Sequence, residues 1–236
     1  MHNRFQDSLK PHLPLLVFLL PVISINLAYI VASLLDHIPR CIPYLSGCTS
    51  ISSAGRIMPQ KGIFLVGMVP AAIFALQLWT HSEAWLTQNS ERETSRALVL
   101  TGALASFCLL IYVTTLGIPG DVYRLFRKFG VLLYFGCTFI AQLLLVKELK
   151  RIGSENDLPH YSKLAKRLEV LCTLVLLCGL VIIPISLIED PIKQKQFENV
   201  VEWNYAFVLH IYYLALYPTW LRAARPRSNP ELTHGY

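Results

Sequence analysis

The sequence predicts an all-α fold: a polytopic membrane protein built as a six-transmembrane-helix bundle with a long first non-cytoplasmic loop. Three observations carry this. Six stretches, about 13–35, 62–80, 97–117, 129–146, 170–188 and 203–221, are strongly apolar and hold no Asp, Glu, Lys or Arg. Each is close to the ~20 residues a helix needs to cross a bilayer core ~30 Å thick. Hydrophobic residues make up 54% of the 236 positions, and no polar segment is long enough to fold as a separate soluble unit. The mean hydropathy is +0.47. Residues 1–236 are therefore expected to form a single six-helix membrane domain, with its chemistry at or near lipid.

The first stretch exceeds the 7–15 residues of a signal-peptide core, and no small-x-small cleavage site follows it, so a retained helix is expected. None of the stretches shows strand alternation, and lipid tolerates only helices or closed barrels. Pro14, Pro21, Pro70, Pro184 and Pro218 fall inside spans as expected kinks. The short loops 81–96 and 189–202 force antiparallel neighbours. The third connection opens on Gly117-Ile-Pro-Gly-Asp, a turn signature, and closes on Arg124-Leu-Phe-Arg127-Lys128, expected at headgroup level. Neither a fixed-period repeat nor a low-complexity tract is visible.

The formal net charge is +6. The cations sit at helix ends and in short loops, so they read as topology signals and headgroup contacts rather than as a nucleic-acid surface. Thirteen of the 21 Lys and Arg lie in the tails and in loops 81–96 and 147–169, against eight in loops 36–61, 121–128 and 189–202. That excess predicts both termini in the cytosol. Cys108, Cys137, Cys172 and Cys178 lie inside apolar stretches and read as small packing residues. Cys41 and Cys48 lie in the first non-cytoplasmic loop, where a disulfide and two free thiols both remain open. With no Asn-x-Ser/Thr sequon, glycosylation offers no clue to topology.

Loop 36–61 is dense in hydroxyls. Ser50, Ser52 and Ser53, followed by Arg56, Gln60 and Lys61, have the donors and cations to hold a phosphate or a lipid headgroup; an ordinary turn region has the same composition. The runs Cys41-x-Pro43-Tyr44-Leu45, Ser50-Ile51-Ser52-Ser53-Ala54-Gly55 and Pro59-Gln60-Lys61 resemble the first luminal loop of the GPI lipid-remodelling factors of the post-GPI-attachment-to-proteins factor two type. These belong to the wider superfamily of FGF-receptor-activating-protein, DRAM and Sfk membrane proteins. Val201-Glu202-Trp203 resembles that family's Glu-aromatic step at the sixth span. Arg127-x-x-Gly130-x-x-x-Tyr134-Phe135 resembles the start of its fourth span, with Arg127 where the family usually has His. Lys61 stands for the family's Arg.

The resemblance implies a Golgi or endoplasmic-reticulum membrane and the step that restores a saturated acyl chain to a lyso-GPI. Membrane lipids and GPI-anchored proteins are then the expected partners. The protein is either the acyltransferase or its accessory. A scaffold or regulator of the DRAM or Sfk type is the alternative.

Glu202 is the first candidate catalytic residue. It sits one position before an uncharged span, where a carboxylate is costly unless paired or wet. It is placed to move an acyl-transfer proton; a plain helix-start Glu is the competing role. His210, two turns on, is a weaker candidate base, since a lone His in a span is commonly a packing residue. Arg127 joins the serine loop as a headgroup ligand. Asn26, Gln77 and Gln142 read as interhelical hydrogen bonders. The seven His make no His-x-x-x-His or His-Glu-x-x-His pair, so no metal is expected. Nucleotide fingerprints and a Gly-x-Ser-x-Gly elbow are missing, so no cofactor is expected and a serine hydrolase is disfavoured. A channel or transporter is disfavoured by spans without a single charge.

Overall fold

A computed structural model describes residues 9–88 and 96–223. Arg4, Arg92, Arg225 and Arg227, part of the topology count, lie outside the described residues. The described chain is helical: α1 (Leu13–Leu34), α2 (Pro43–Ser46), α3 (Ile51–Ala54), α4 (Gln60–Gln88), α5 (Ala97–Thr115), α6 (Asp121–Glu155), α7 (Pro159–Leu180), α8 (Ile182–Ile185) and α9 (Pro191–Ala223). Prolines open α2 and α7 in the first turn, where the missing N–H costs nothing. Asp36 and Asp157 turn the chain in the left-handed region, at φ 54° and 50°.

Several segments read as loops from their charges are helix. Residues 121–128 form the first turns of α6, 147–155 its last turns, and 191–202 the start of α9. A helix satisfies its own backbone whether lipid or water surrounds it, so charge ends the apolar run without ending the helix. At 35 residues, α6 is ~52 Å long, well beyond the bilayer core. The span 170–188, in contrast, is broken. Pro184 has no N–H for the Leu180 carbonyl, and the helix stops there before resuming as the single turn α8.

The six long helices pack as an antiparallel ring in chain order. Each lies against the next, and α9 closes the ring on α1. The interior divides into two apolar clusters. One, at the first-loop end, is built around Ile25, Phe64, Leu109, Tyr112 and Trp203. The other, at the far end, is built around Leu13, Trp79, Leu145, Leu168 and Leu216. Small residues let the helices close up: a Cβ on Gly102 would sit 2.3 Å from the Trp79 ring. Among the described residues, five helical segments are long and apolar enough to cross a membrane. The sixth stretch, in α9, is aromatic instead of aliphatic, and its Trp203, Tyr212 and Tyr213 are almost fully buried in the bundle. A face shielded by protein has no need of maximal lipid solubility.

Candidate functional site

The first loop is strapped across the end of the bundle. Cys41 and Cys48 are joined by a disulfide. The Cys41 N–H donates to the Tyr29 hydroxyl of α1 at 2.9 Å. One side of α9 then binds the loop backbone repeatedly. Asn199 Nδ2 donates to the Gly47 carbonyl at 2.8 Å, Trp203 Nε1 to that of Thr49 at 2.9 Å, and Asn204 Nδ2 to that of Tyr44 at 2.8 Å. The approach requires Gly47: its φ is 58°, and a Cβ there would lie 1.9 Å from the Gln196 carbonyl oxygen.

The serines sit on the one-turn helix α3. Ser50 caps it, accepting the Ser53 N–H at 3.1 Å and donating to Ser53 Oγ at 2.9 Å. Ser52 Oγ lies 2.8 Å from the Tyr112 hydroxyl of α5. Glu202 reaches toward α3 from α9, where the backbone N–H groups of Ile51 and Ser52 favour its charged form. Glu202 lies one residue outside the apolar stretch of α9. Burial pushes its carboxyl up to about 7; Lys195 and the two backbone donors oppose that shift, and Glu198 adds to it.

The cations gather around the same point. Arg56 is exposed. Arg127 Nη1 donates to the carbonyls of Thr115 at 2.9 Å and Ile118 at 2.8 Å, closing the C-terminal end of α5. Arg56, Arg127 and Glu202 all stand within electrostatic range of the Tyr112 hydroxyl. Gly117, in the α5–α6 turn, backs onto the Arg56 carbonyl and the Lys61 side chain. Gln60 is set apart from this group. It is 1% exposed and its amide meets His37 Nδ1 at 2.8 Å, so it braces the loop from within.

His210 is deeper in α9. Its Nδ1 lies 2.6 Å from the Ala206 carbonyl, which only accepts, so Nδ1 carries the hydrogen. Nε2 then accepts from the Tyr134 hydroxyl at 3.1 Å. Both ring nitrogens are engaged. Glu202 and His210 line one narrow cavity together with Tyr112, Val131, Tyr134 and Phe135. Its free space is on the order of one or two waters. Of the expected interhelical hydrogen bonders, Asn26 binds the Tyr44 hydroxyl and Gln142 binds the Leu209 carbonyl of α9.

The structure thus brings Ser50, Ser52, Ser53, Arg56, Lys61, Arg127 and Glu202 to one end of the ring, and leaves Gln60 and His210 to bonds of their own. Tyr112, Asn199 and Asn204 were not singled out in the sequence, and Tyr134 entered only as part of the fourth-span motif. Asn199-x-x-Glu202-Trp203-Asn204 is a visible signal, four hydrogen-bonding side chains within two turns at the start of a span. Tyr112 carries none, since an aromatic in an apolar stretch reads as core.

Comparison with known proteins gives one result. The family described as Frag1/DRAM/Sfk1/Cwh43P N-terminal domain matches residues 11–218. No curated protein matches the chain, and no solved structure does.

Proposed function

Because the chain belongs to the Frag1/DRAM/Sfk1/Cwh43P family of membrane proteins, we propose that it handles lipid at the first-loop end of its bundle, in the fatty-acid remodelling of GPI anchors. The step is the return of an acyl chain to a lyso-GPI, in a Golgi or endoplasmic-reticulum membrane with both termini in the cytosol. The observation that carries this reading is the meeting of a half-buried carboxyl, Glu202, with the Ser52–Tyr112 hydroxyl pair and the Arg56 and Arg127 guanidiniums at the membrane edge. Guanidiniums suit a lipid phosphate. A carboxyl with a pKa near 7 suits removal of a proton from an acyl-accepting hydroxyl. The chain acts either as the transferase or as the factor that presents the lipid to one. GPI-anchored proteins are its partners in this reading.

A scaffold or regulator is the second reading, and one observation favours it. Ser50, Ser53 and Arg127 each already bond to protein groups of the loop or of a helix end. Lipid analysis of GPI anchors separates the two. Deleting the gene raises lyso-GPI and lowers saturated diacyl anchors if the chain serves remodelling. Unchanged anchors with altered membrane-protein distribution support the scaffold.

A further inference from the structure

Helix periodicity gives each residue of the ring a direction. On α6 the inward row runs through Ala141, Cys137, Tyr134 and Gly130, all buried. Continued toward the first loop, it reaches Tyr123, which is 41% exposed although it points inward. On α7 the inward row runs through Leu168, Cys172 and Val175, again buried. Beyond the break, α8 leaves Ile182 and Ile183 41% and 59% exposed and buries Ile185, at 7%. Residues 121–129 of α6, apart from the half-buried Arg127, and residues 180–187 after α7, apart from Ile185, are therefore bare at the same end of the bundle.

The floor of this opening is α9. Tyr205 meets Phe135 of α6 edge-on, with ring centroids 5.2 Å apart, and backs onto Gly179 of α7. These three close the ring. Above them α8 stays against α9 with Ile185 buried, while residues 121–126 of α6 are exposed; Glu202 lies one turn above Tyr205, half-buried and lining the same cavity as Val131 and Phe135. One stripe of α6 runs along this opening: Arg124, Lys128, Val131 and Phe135, at spacings of four, three and four. Its loop end is cationic and its deep end is apolar and aromatic. Arg124 pairs with Asp121, while Lys128 is exposed and makes no ion pair among the described residues. That order, charge above and hydrocarbon below, is complementary to an anionic lipid standing in the leaflet on the first-loop side.

Resting on the lipid-handling reading above, we infer that the cleft between the first-loop ends of α6 and α7 is a lateral port for an anionic glycerophospholipid. Its phosphate sits at Lys128 and Arg124. One acyl chain passes Val131 and Phe135 with its upper carbons beside Glu202. The port gives the carboxyl a substrate from the bilayer plane, which the one-or-two-water cavity behind it does not hold.

The test uses the full chain in phosphatidylcholine nanodiscs with a trace of photoactivatable phosphatidylglycerol, its diazirine midway along one acyl chain. The same probe with a phosphatidylcholine head is the comparison. Peptides carrying Val131–Phe135 and Tyr205 should be labelled well above the lipid-facing Leu100–Leu104 peptide of α5. The phosphatidylglycerol probe should exceed the phosphatidylcholine probe there by about tenfold, and Lys128→Glu should abolish that preference. Val131→Trp should remove label from the Tyr205 peptide and leave Leu100–Leu104 unchanged. If that variant does not fold, the wild-type map and Lys128→Glu decide. Even labelling of every exposed face, or equal labelling by the two probes, overturns the port. Cleft labelling in a protein whose loss leaves anchors unchanged keeps the port and removes the remodelling reading.

Discussion

Replacing Glu202 by Gln separates a chemical role from a mechanical one. The carboxylate faces the backbone N–H groups of Ile51 and Ser52, which favour its charged form. An amide keeps an acceptor oxygen with two lone pairs and loses the charge. Trading a charge-assisted interaction for a neutral one costs about 1–1.5 kcal/mol, which lowers the docked-to-undocked ratio of the loop about 5- to 10-fold. Against this stand the bonds from Asn199, Trp203 and Asn204 to the loop backbone. At about 0.5–1.5 kcal/mol each, they and the Cys41–Cys48 bridge keep the loop in place. Glu202→Gln is therefore expected at normal membrane abundance. If the carboxyl moves a proton, anchor remodelling falls by ~10²–10⁴. Asn204→Ala is the matched control: it strips the Tyr44 carbonyl of a partner at similar cost and leaves the carboxyl intact. The assay is rescue of a null cell line, scored by anchor acyl-chain composition and by abundance. Equal losses from the two variants would refute the proton role and leave Glu202 a clamp. Full rescue by Glu202→Gln would remove it from the site.

Burial raises the Glu202 carboxyl from 4.5 to about 7, so the fold favours its protonated form. Its contribution to stability is full below pH 4.5 and lost as pH rises through about 7. The wild-type Tm should therefore fall between pH 5 and 8 by an increment that Glu202→Gln lacks; identical profiles would contradict the assignment. A cysteine placed at Ser50 should react with an impermeant probe from outside and one at Glu155 only from the cytosol, and the reverse pattern would invert the topology. Gly102→Ala should cost about 1–3 kcal/mol, because its methyl would overlap the fully packed Trp79 ring; unchanged thermal stability would show that α4 and α5 move apart freely.

Features local to the chain were legible before the structure. Runs of about 20 uncharged residues become helices because lipid offers their backbones no other partner, and each run can be read on its own. The hydroxyl-rich loop and the position of Glu202 just before an uncharged stretch were legible for the same reason. Helix ends were less so. Arg124, Lys128, Lys150 and Lys195 lie on helices that outrun the membrane, and composition registers the water boundary without registering the helix boundary.

The partners were decided only by tertiary structure. Glu202 meets Ile51 and Ser52 across some 150 positions, and Ser52 meets Tyr112 across 60. Nothing near any of them in the chain encodes the other. The ring must close α9 on α1 before Asn199, Trp203 and Asn204 come opposite the carbonyls of the first loop, and before α9 can carry an aromatic, inward face where the other spans carry aliphatic ones. Apolar patterning acts within a single helix; which helix shields which is set by how six of them fill a common interior.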